Sequence, residues 1–160
     1  MESVDAVRAS DPDIQIVQAD LSRVSETQRF ADWVSAQCPV VDVLLNNAGR
    51  FLPGQVATET DATYELLMEL NVGSAYRLTK ALLPPMMELK TGTIVNLCST
   101  ASLKGYPNGA SYCISKFALY GLTKTLREEL KEYGIRVVAV SPGPVLTASW
   151  EGVPLPDERF

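Results

Sequence analysis

The 160-residue chain has no histidine, and its three cysteines, Cys38, Cys98 and Cys113, show no Cys-x-x-Cys spacing. A zinc site of imidazoles and thiolates is therefore not expected, and no metal is assigned. Odd in number, the cysteines read as reduced and mostly buried thiols rather than a disulfide framework. No glycine precedes Gly49, so a glycine-rich turn of the kind that brings backbone N–H groups against a pyrophosphate is excluded upstream of it. No run approaches the ~18 apolar residues of a membrane span. Met1 to Asp5 has neither the basic start nor the apolar stretch of a secretory leader. A net charge of −5 and a pI near 4.8 leave no basic footprint for nucleic acid. The expectation is a cytoplasmic globular chain with neither membrane nor nucleic-acid partners.

What is present is a regular alternation. At 46% hydrophobic residues the chain is long enough for one domain core, and residues 1–160 read as one partial domain with no repeat or linker. Ile14 to Gln18 reads as a strand, and Val24 to Gln37 as a helix with Phe30, Trp33 and Val34 on one face. Val40 to Leu45 reads as a strand buried on both faces. A long helix from about Asp61 to Met87 is expected to break near Pro84-Pro85, and Lys90-Thr91-Gly92 turns the chain into a strand over Thr93 to Cys98. A helix over Ser111 to Tyr133 closes at Gly134, which suits a left-handed cap, and Ile135 to Val140 is the next buried strand. Strands alternating with helices imply a parallel sheet with helices on both faces.

The chemistry concentrates at Ser99, Tyr112 and Lys116. Tyr112 and Lys116 stand four apart, so a helix beginning near Ser111 places phenol and ammonium on one face. A free phenol ionises near pH ~10, and a cation held close pulls that value toward the working range. Ser99 ends a β-rich run, where the carboxyl edge of a parallel sheet collects ligand groups. Its hydroxyl can bond a carbonyl oxygen while the tyrosine supplies a proton. Alone, Tyr-x-x-x-Lys is equally an aromatic ring half in the core beside a solvated lysine.

Further segments fit the same site: Asn46-Asn47-Ala48-Gly49 after an apolar run, Asn71-Val72-x-Ser74 within a helical pattern, and Pro142-Gly143-Pro144-Val145-x-Thr147 after another apolar run. Together with Ser99, Tyr112 and Lys116 they resemble the short-chain dehydrogenase/reductase family over nearly the whole chain. The resemblance implies a Rossmann-like doubly wound parallel sheet, α/β in class. It also implies an NAD(P)-dependent oxidoreductase that moves a hydride between a nicotinamide coenzyme and a small carbonyl or alcohol substrate, with Ser99, Tyr112, Lys116 and Asn71 as the catalytic set. Tyr112 would be the proton donor, Ser99 would orient the carbonyl, Lys116 would lower the phenol's pKa and bind the nicotinamide ribose, and Asn71 would anchor a water that returns the proton.

Coenzyme contacts are implied for Asp20 and Leu21 at the adenine ring, for Asn47, Ala48 and Gly49 beside the adenosine, and for Pro142, Gly143, Val145 and Thr147 at the carboxamide. Each has a plainer alternative: an N-cap for Asp20, an Asn/Gly turn for Asn47 to Gly49, a kinked-helix polar residue for Asn71, a strand-ending Pro-Gly turn for Pro142. Phe51, Leu52, Tyr106, Leu146 and Trp150 would wall an apolar substrate pocket. The residues by which relatives choose between NAD and NADP lie upstream of the matching region, so that choice stays open.

Against the family pattern, the first two strands with their glycine loop and the last strand are expected to be missing, as in an internal fragment or a truncated reading frame. In the family order 3-2-1-4-5-6-7, Ile14 to Gln18 would then be separated from Val41 to Leu45 by two absent strands, at ~4.8 Å per strand spacing. Such a chain is expected to be unstable, to re-pair its strands or to borrow strands, and a catalytically inactive, self-associating remnant is the alternative function. Apolar residues on more than one face of helices 61–87 and 111–133 fit a homo-oligomer.

Overall fold

The computed structural model describes residues 13–145 together with Ala9 and Asp11. Helix α1 spans Val24–Gln37, as the sequence implies, and buries Thr27 and Ala31 one turn apart, with Phe30 and Trp33 stacked at 6.2 Å beside them. Strand β1, Val43–Asn46, is followed by helix α2, Asp61–Met68, whose N-cap Thr60 accepts from the Thr63 N–H at 3.3 Å. A π-helical turn, Glu69–Gly73, joins α2 to helix α3, Ser74–Leu89. Strand β2 is Thr93–Leu97, helix α4 is Ala110–Glu129, and strand β3 is Arg136–Val140.

The three strands are parallel in the order β1-β2-β3. Register fixes two faces. On one, Leu44, Ile94 and Val137 align and are buried, packed against Leu82 and Met86 of α3 and Leu126 and Leu130 of α4. Each such large apolar side chain contributes roughly 1.5–3 kcal/mol on burial. On the other face Val43 and Leu45 are 60% and 57% exposed.

Four expectations change. Ile14 to Gln18 is not a strand: no described strand lies beside it, so its backbone has no ladder to join. β1 is not buried on both faces: its residues alternate exposed and buried, because no described element covers the face that carries Val43 and Leu45. Among the described residues, the helices that pack on the sheet cover one face rather than both. Pro84 and Pro85 do not break α3, which continues to Leu89 and ends at Lys90 in the left-handed region (φ 52°). Lys80, four residues before Pro84, is exposed, so water can serve the carbonyl that the proline ring leaves without a donor. The left-handed Gly134 (φ 65°) does close the next helical segment, after a 3-10 turn over Lys131–Tyr133.

Candidate active site

The carboxyl ends of β1, β2 and β3 open onto one cavity of about 840 Å³. Ser99, Tyr112 and Lys116 all line it. Ser99 follows β2 and caps the 3-10 turn Thr100–Ser102: its Oγ accepts from the Ala101 N–H at 3.1 Å, and its own N–H donates to Ser102 Oγ at 3.1 Å. That reciprocal cap fixes the hydroxyl on the cavity it shares with the Tyr112 phenol, where it acts to lower the phenol's pKa. Tyr112 lies in the first turn of α4, with the Phe51 ring edge-on to it at 5.0 Å and 82°.

Lys116, one turn on, is 5% exposed. Its Nζ donates to the Leu97 carbonyl at 2.8 Å and stands 5.9 Å from the centre of the tyrosine ring. One N–H is thereby used and two remain. Burial pulls the ammonium's pKa down, with Cys98 acting against the fall. Burial likewise pushes the Tyr112 phenol above its ordinary value, offset in part by the Ser99 hydrogen bond and reinforced by Cys113. The expected lowering of the phenol's pKa by Lys116 is thus not found: desolvation of the ring outweighs a cation that is engaged with the Leu97 carbonyl.

Asn71 sits behind the cavity, fully buried in the π turn. Its Oδ1 accepts from the Arg50 N–H at 2.8 Å, while its Nδ2 donates to the Arg50 carbonyl at 3.1 Å and to Ser115 Oγ at 2.9 Å. Ser115 Oγ in turn donates to the Tyr112 carbonyl at 2.8 Å. Asn71 therefore ties the loop after β1 to the first turn of α4. With both amide hydrogens used, a water at Asn71 is left the second lone pair of Oδ1 or the main-chain carbonyl. π turns recur at functional sites because they free such groups.

Asn47 and Gly49 line the cavity from β1, and Pro142, Gly143 and Val145 from beyond β3. Ala48 is exposed between the first two. A Cβ on Gly49 would stand 3.1 Å from Asn71 Oδ1 and 3.6 Å from Lys116 Nζ, so glycine keeps this wall open. Phe51 and Tyr106 line the cavity as expected, Leu52 is half-buried beside Phe51, and Thr147, Leu146 and Trp150 lie outside the described residues.

Asp20 and Leu21 are not among the cavity's lining. Asp20 closes a turn before α1: Oδ1 accepts from the Ser22 N–H at 3.0 Å and from Ser22 Oγ at 2.6 Å, which lowers the carboxyl's pKa. It is not the N-cap of α1, a place held by Arg23.

Two features escaped sequence reasoning. Ser115 is one; its signal was a small hydroxyl on the buried side of the Tyr112–Lys116 turn. The other is a buried polar chain: Asn46 Nδ2 donates to Thr79 Oγ1 at 3.2 Å and to Asn96 Oδ1 at 2.8 Å, and Asn96 Nδ2 donates to Thr123 Oγ1 at 2.9 Å. Asn46 thus turns from the cavity into the core. An asparagine near the end of each of two neighbouring apolar strands was its sequence signal.

Comparison with known proteins shows the family. A family model described as short chain dehydrogenase matches residues 2–156. Dehydrogenase/reductase SDR family member 6 of Rattus norvegicus is 36% identical over 139 residues, covering 86% of this chain and 55% of that protein. A short-chain dehydrogenase from Streptomyces avermitilis superposes with a TM-score of 0.86 at 34% identity, over 91% of this chain and 54% of that one. A metagenomic short-chain oxidoreductase solved in complex with NADP gives 0.78 at 33% identity, over 91% and 69%. The chain spans about half the length of the curated relatives it matches. With a capped serine, a buried lysine and a tyrosine at the carboxyl edge of a parallel sheet, the chain belongs to the short-chain dehydrogenase/reductase family.

Proposed function

We propose that this chain carries the catalytic part of an NAD(P)-dependent oxidoreductase acting on a small carbonyl or alcohol compound. The observation that carries the reading is the meeting of Ser99, Tyr112 and Lys116 on one cavity, with the Lys116 ammonium 5.9 Å from the centre of the tyrosine ring. The residues present fit the nicotinamide end of a coenzyme. Lys116 keeps two N–H groups beyond the one given to Leu97, and Gly49 leaves room beside them. Asn47, Gly49, Lys116 and the segment from Pro142 to Val145 would hold that end. When bound, the nicotinamide supplies hydride transfer.

The chain's own residues do the rest. A substrate carbonyl oxygen placed between Ser99 and Tyr112 accepts a hydrogen bond from each hydroxyl. Because burial raises its pKa, Tyr112 holds its proton across the neutral range and gives it up as charge grows on that oxygen. Lys116 stands beside the ring, its Nζ 5.9 Å from the centre, with N–H groups left for the coenzyme, and Asn71 holds the loop and helix that frame the transfer. The alcohol-oxidising direction runs these steps backward.

The test is NADH and NADPH fluorescence titration of the folded chain, with circular dichroism as the folding control. Saturable binding that Lys116→Ala weakens at least tenfold is expected; binding indifferent to Lys116→Ala would remove this cavity as the coenzyme site. An inactive remnant is the second reading, favoured by the exposure of Val43 and Leu45 on the open sheet face.

Self-association belongs to either reading. A groove of about 760 Å³ along α2, the π turn and α3, with Tyr64 and Tyr76 exposed at 43% and 51%, fits a second copy. Tyr76→Asp is expected to shift sedimentation toward the monomer. An unchanged profile would place the contact elsewhere.

A further inference from the structure

The whole chain is acidic, with 19 Asp and Glu against 14 Lys and Arg, yet its catalytic cavity is not. Arg50 and Lys116 are the basic groups among its described lining, and no carboxylate stands with them. A cleft with cations on its walls concentrates anions.

The two cations differ in what they have left to do. Lys116 is buried and holds the Leu97 carbonyl. Arg50 is exposed, and its guanidinium makes no hydrogen bond or ion pair with a described residue. Its backbone is nonetheless fixed, since its N–H and its carbonyl both pair with the buried Asn71 amide. The next residue, Phe51, lays its ring against Tyr112. Adjacent Cα atoms are about 3.8 Å apart, so a fork of N–H donors is rooted beside the reacting groups. Glu59, the one carboxylate between Asn47 and Thr60, does not neutralise it: Glu59 accepts from the Ser111 hydroxyl and packs on Gly54.

We propose that Arg50 selects a carboxylate-bearing substrate, an oxo acid or hydroxy acid whose carboxylate pairs with the guanidinium while its carbonyl or carbinol carbon lies at Ser99 and Tyr112. The inference rests on the oxidoreductase reading above and names its substrate class. With Lys116 committed, one planar guanidinium remains, and it matches the single charge and planar fork of a carboxylate. A neutral ketone uses the same hydroxyls but leaves the guanidinium to water.

The experiment is calorimetric titration of the full chain, in the presence of NADP+, which has no hydride to give, with levulinate and with methyl levulinate, which share the ketone and differ in the charge. Wild type is expected to prefer the acid by about tenfold to a hundredfold. Arg50→Gln should bring the acid down to the affinity of the ester, and Arg50→Lys should restore part of the preference, with circular dichroism confirming the fold of each variant. Equal affinity for acid and ester in wild type, no binding of either, or a preference that survives Arg50→Gln overturns the assignment. So does an Arg50→Gln variant that loses NADPH affinity while its acid preference stands, because the guanidinium then serves a coenzyme phosphate. With the oxidised coenzyme a ketone cannot be turned over, so the titration reads binding alone: a chain that prefers the acid but in a separate assay consumes neither NADPH nor NADH keeps Arg50 as a carboxylate site and loses the oxidoreductase reading alone.

Discussion

Ser99, Tyr112 and Lys116 share a cavity but are held there by different means, and the means decide what each can do. Ser99 is fixed by a reciprocal cap that leaves its hydroxyl able to meet the phenol. Tyr112 is held by Phe51 and by burial, and the burial keeps it protonated. This has a consequence for pH. In the unfolded chain the phenol ionises at its ordinary value of 10.0, and in the fold it ionises higher, so raising the pH through that window favours the unfolded chain. Below pH ~10 the phenol is neutral in both states and contributes no slope. Relative to Tyr112→Phe, wild type is therefore expected to lose stability above that pH and to run parallel below it, as read from urea midpoints. Parallel curves throughout would mean that the phenol is not desolvated. That Tyr112 and Lys116 share a helix face was legible from spacing, because an i, i+4 pair must do so, and the place of Ser99 at the sheet's edge from the end of its β-rich run. The direction of the Tyr112 shift was not, since depth of burial depends on Phe51, which lies far away in sequence.

At the scale of elements, Asn46 and Asn96 lock β1 to β2 and tie both to the helices above through Thr79 and Thr123. The amides are buried and act as one unit. Asn96→Ala leaves Asn46 and Thr123 short of partners and is expected to lower stability by about 1–3 kcal/mol. Because the two side chains are bonded to each other, Asn46→Ala with Asn96→Ala should lower it by less than the separate losses combined. Strict additivity in urea unfolding would show that the two amides do not act as a unit. Helix α1 and the parallel strands were readable from periodicity. The π turn was not: Glu69 to Gly73 reads as ordinary helix, and the turn becomes visible only where Asn71 must reach both Arg50 and Ser115. The prolines misled in the other direction, since Pro84 and Pro85 sit where exposed backbone can be hydrated.

At the scale of the molecule, the described residues form a three-stranded parallel sheet that carries helices on one face and leaves Val43 and Leu45 open on the other. Alternating strands and helices gave away the class, while the fate of Ile14 to Gln18 depended on neighbours that no local pattern can reveal. Purpose at this scale comes from convergence: a strand end, a capped turn, a helix start and a clamped loop meet in one cavity, and the proposed role of Tyr112 as proton donor rests on that meeting. The direct measurement is NADPH- and NADH-dependent turnover of a carbonyl substrate by the folded chain and by Tyr112→Phe. Coenzyme-dependent turnover by wild type that falls at least about a hundredfold in Tyr112→Phe, with coenzyme still bound, is the expected result. No turnover by a folded wild-type chain, or turnover that survives the loss of the phenol, contradicts it.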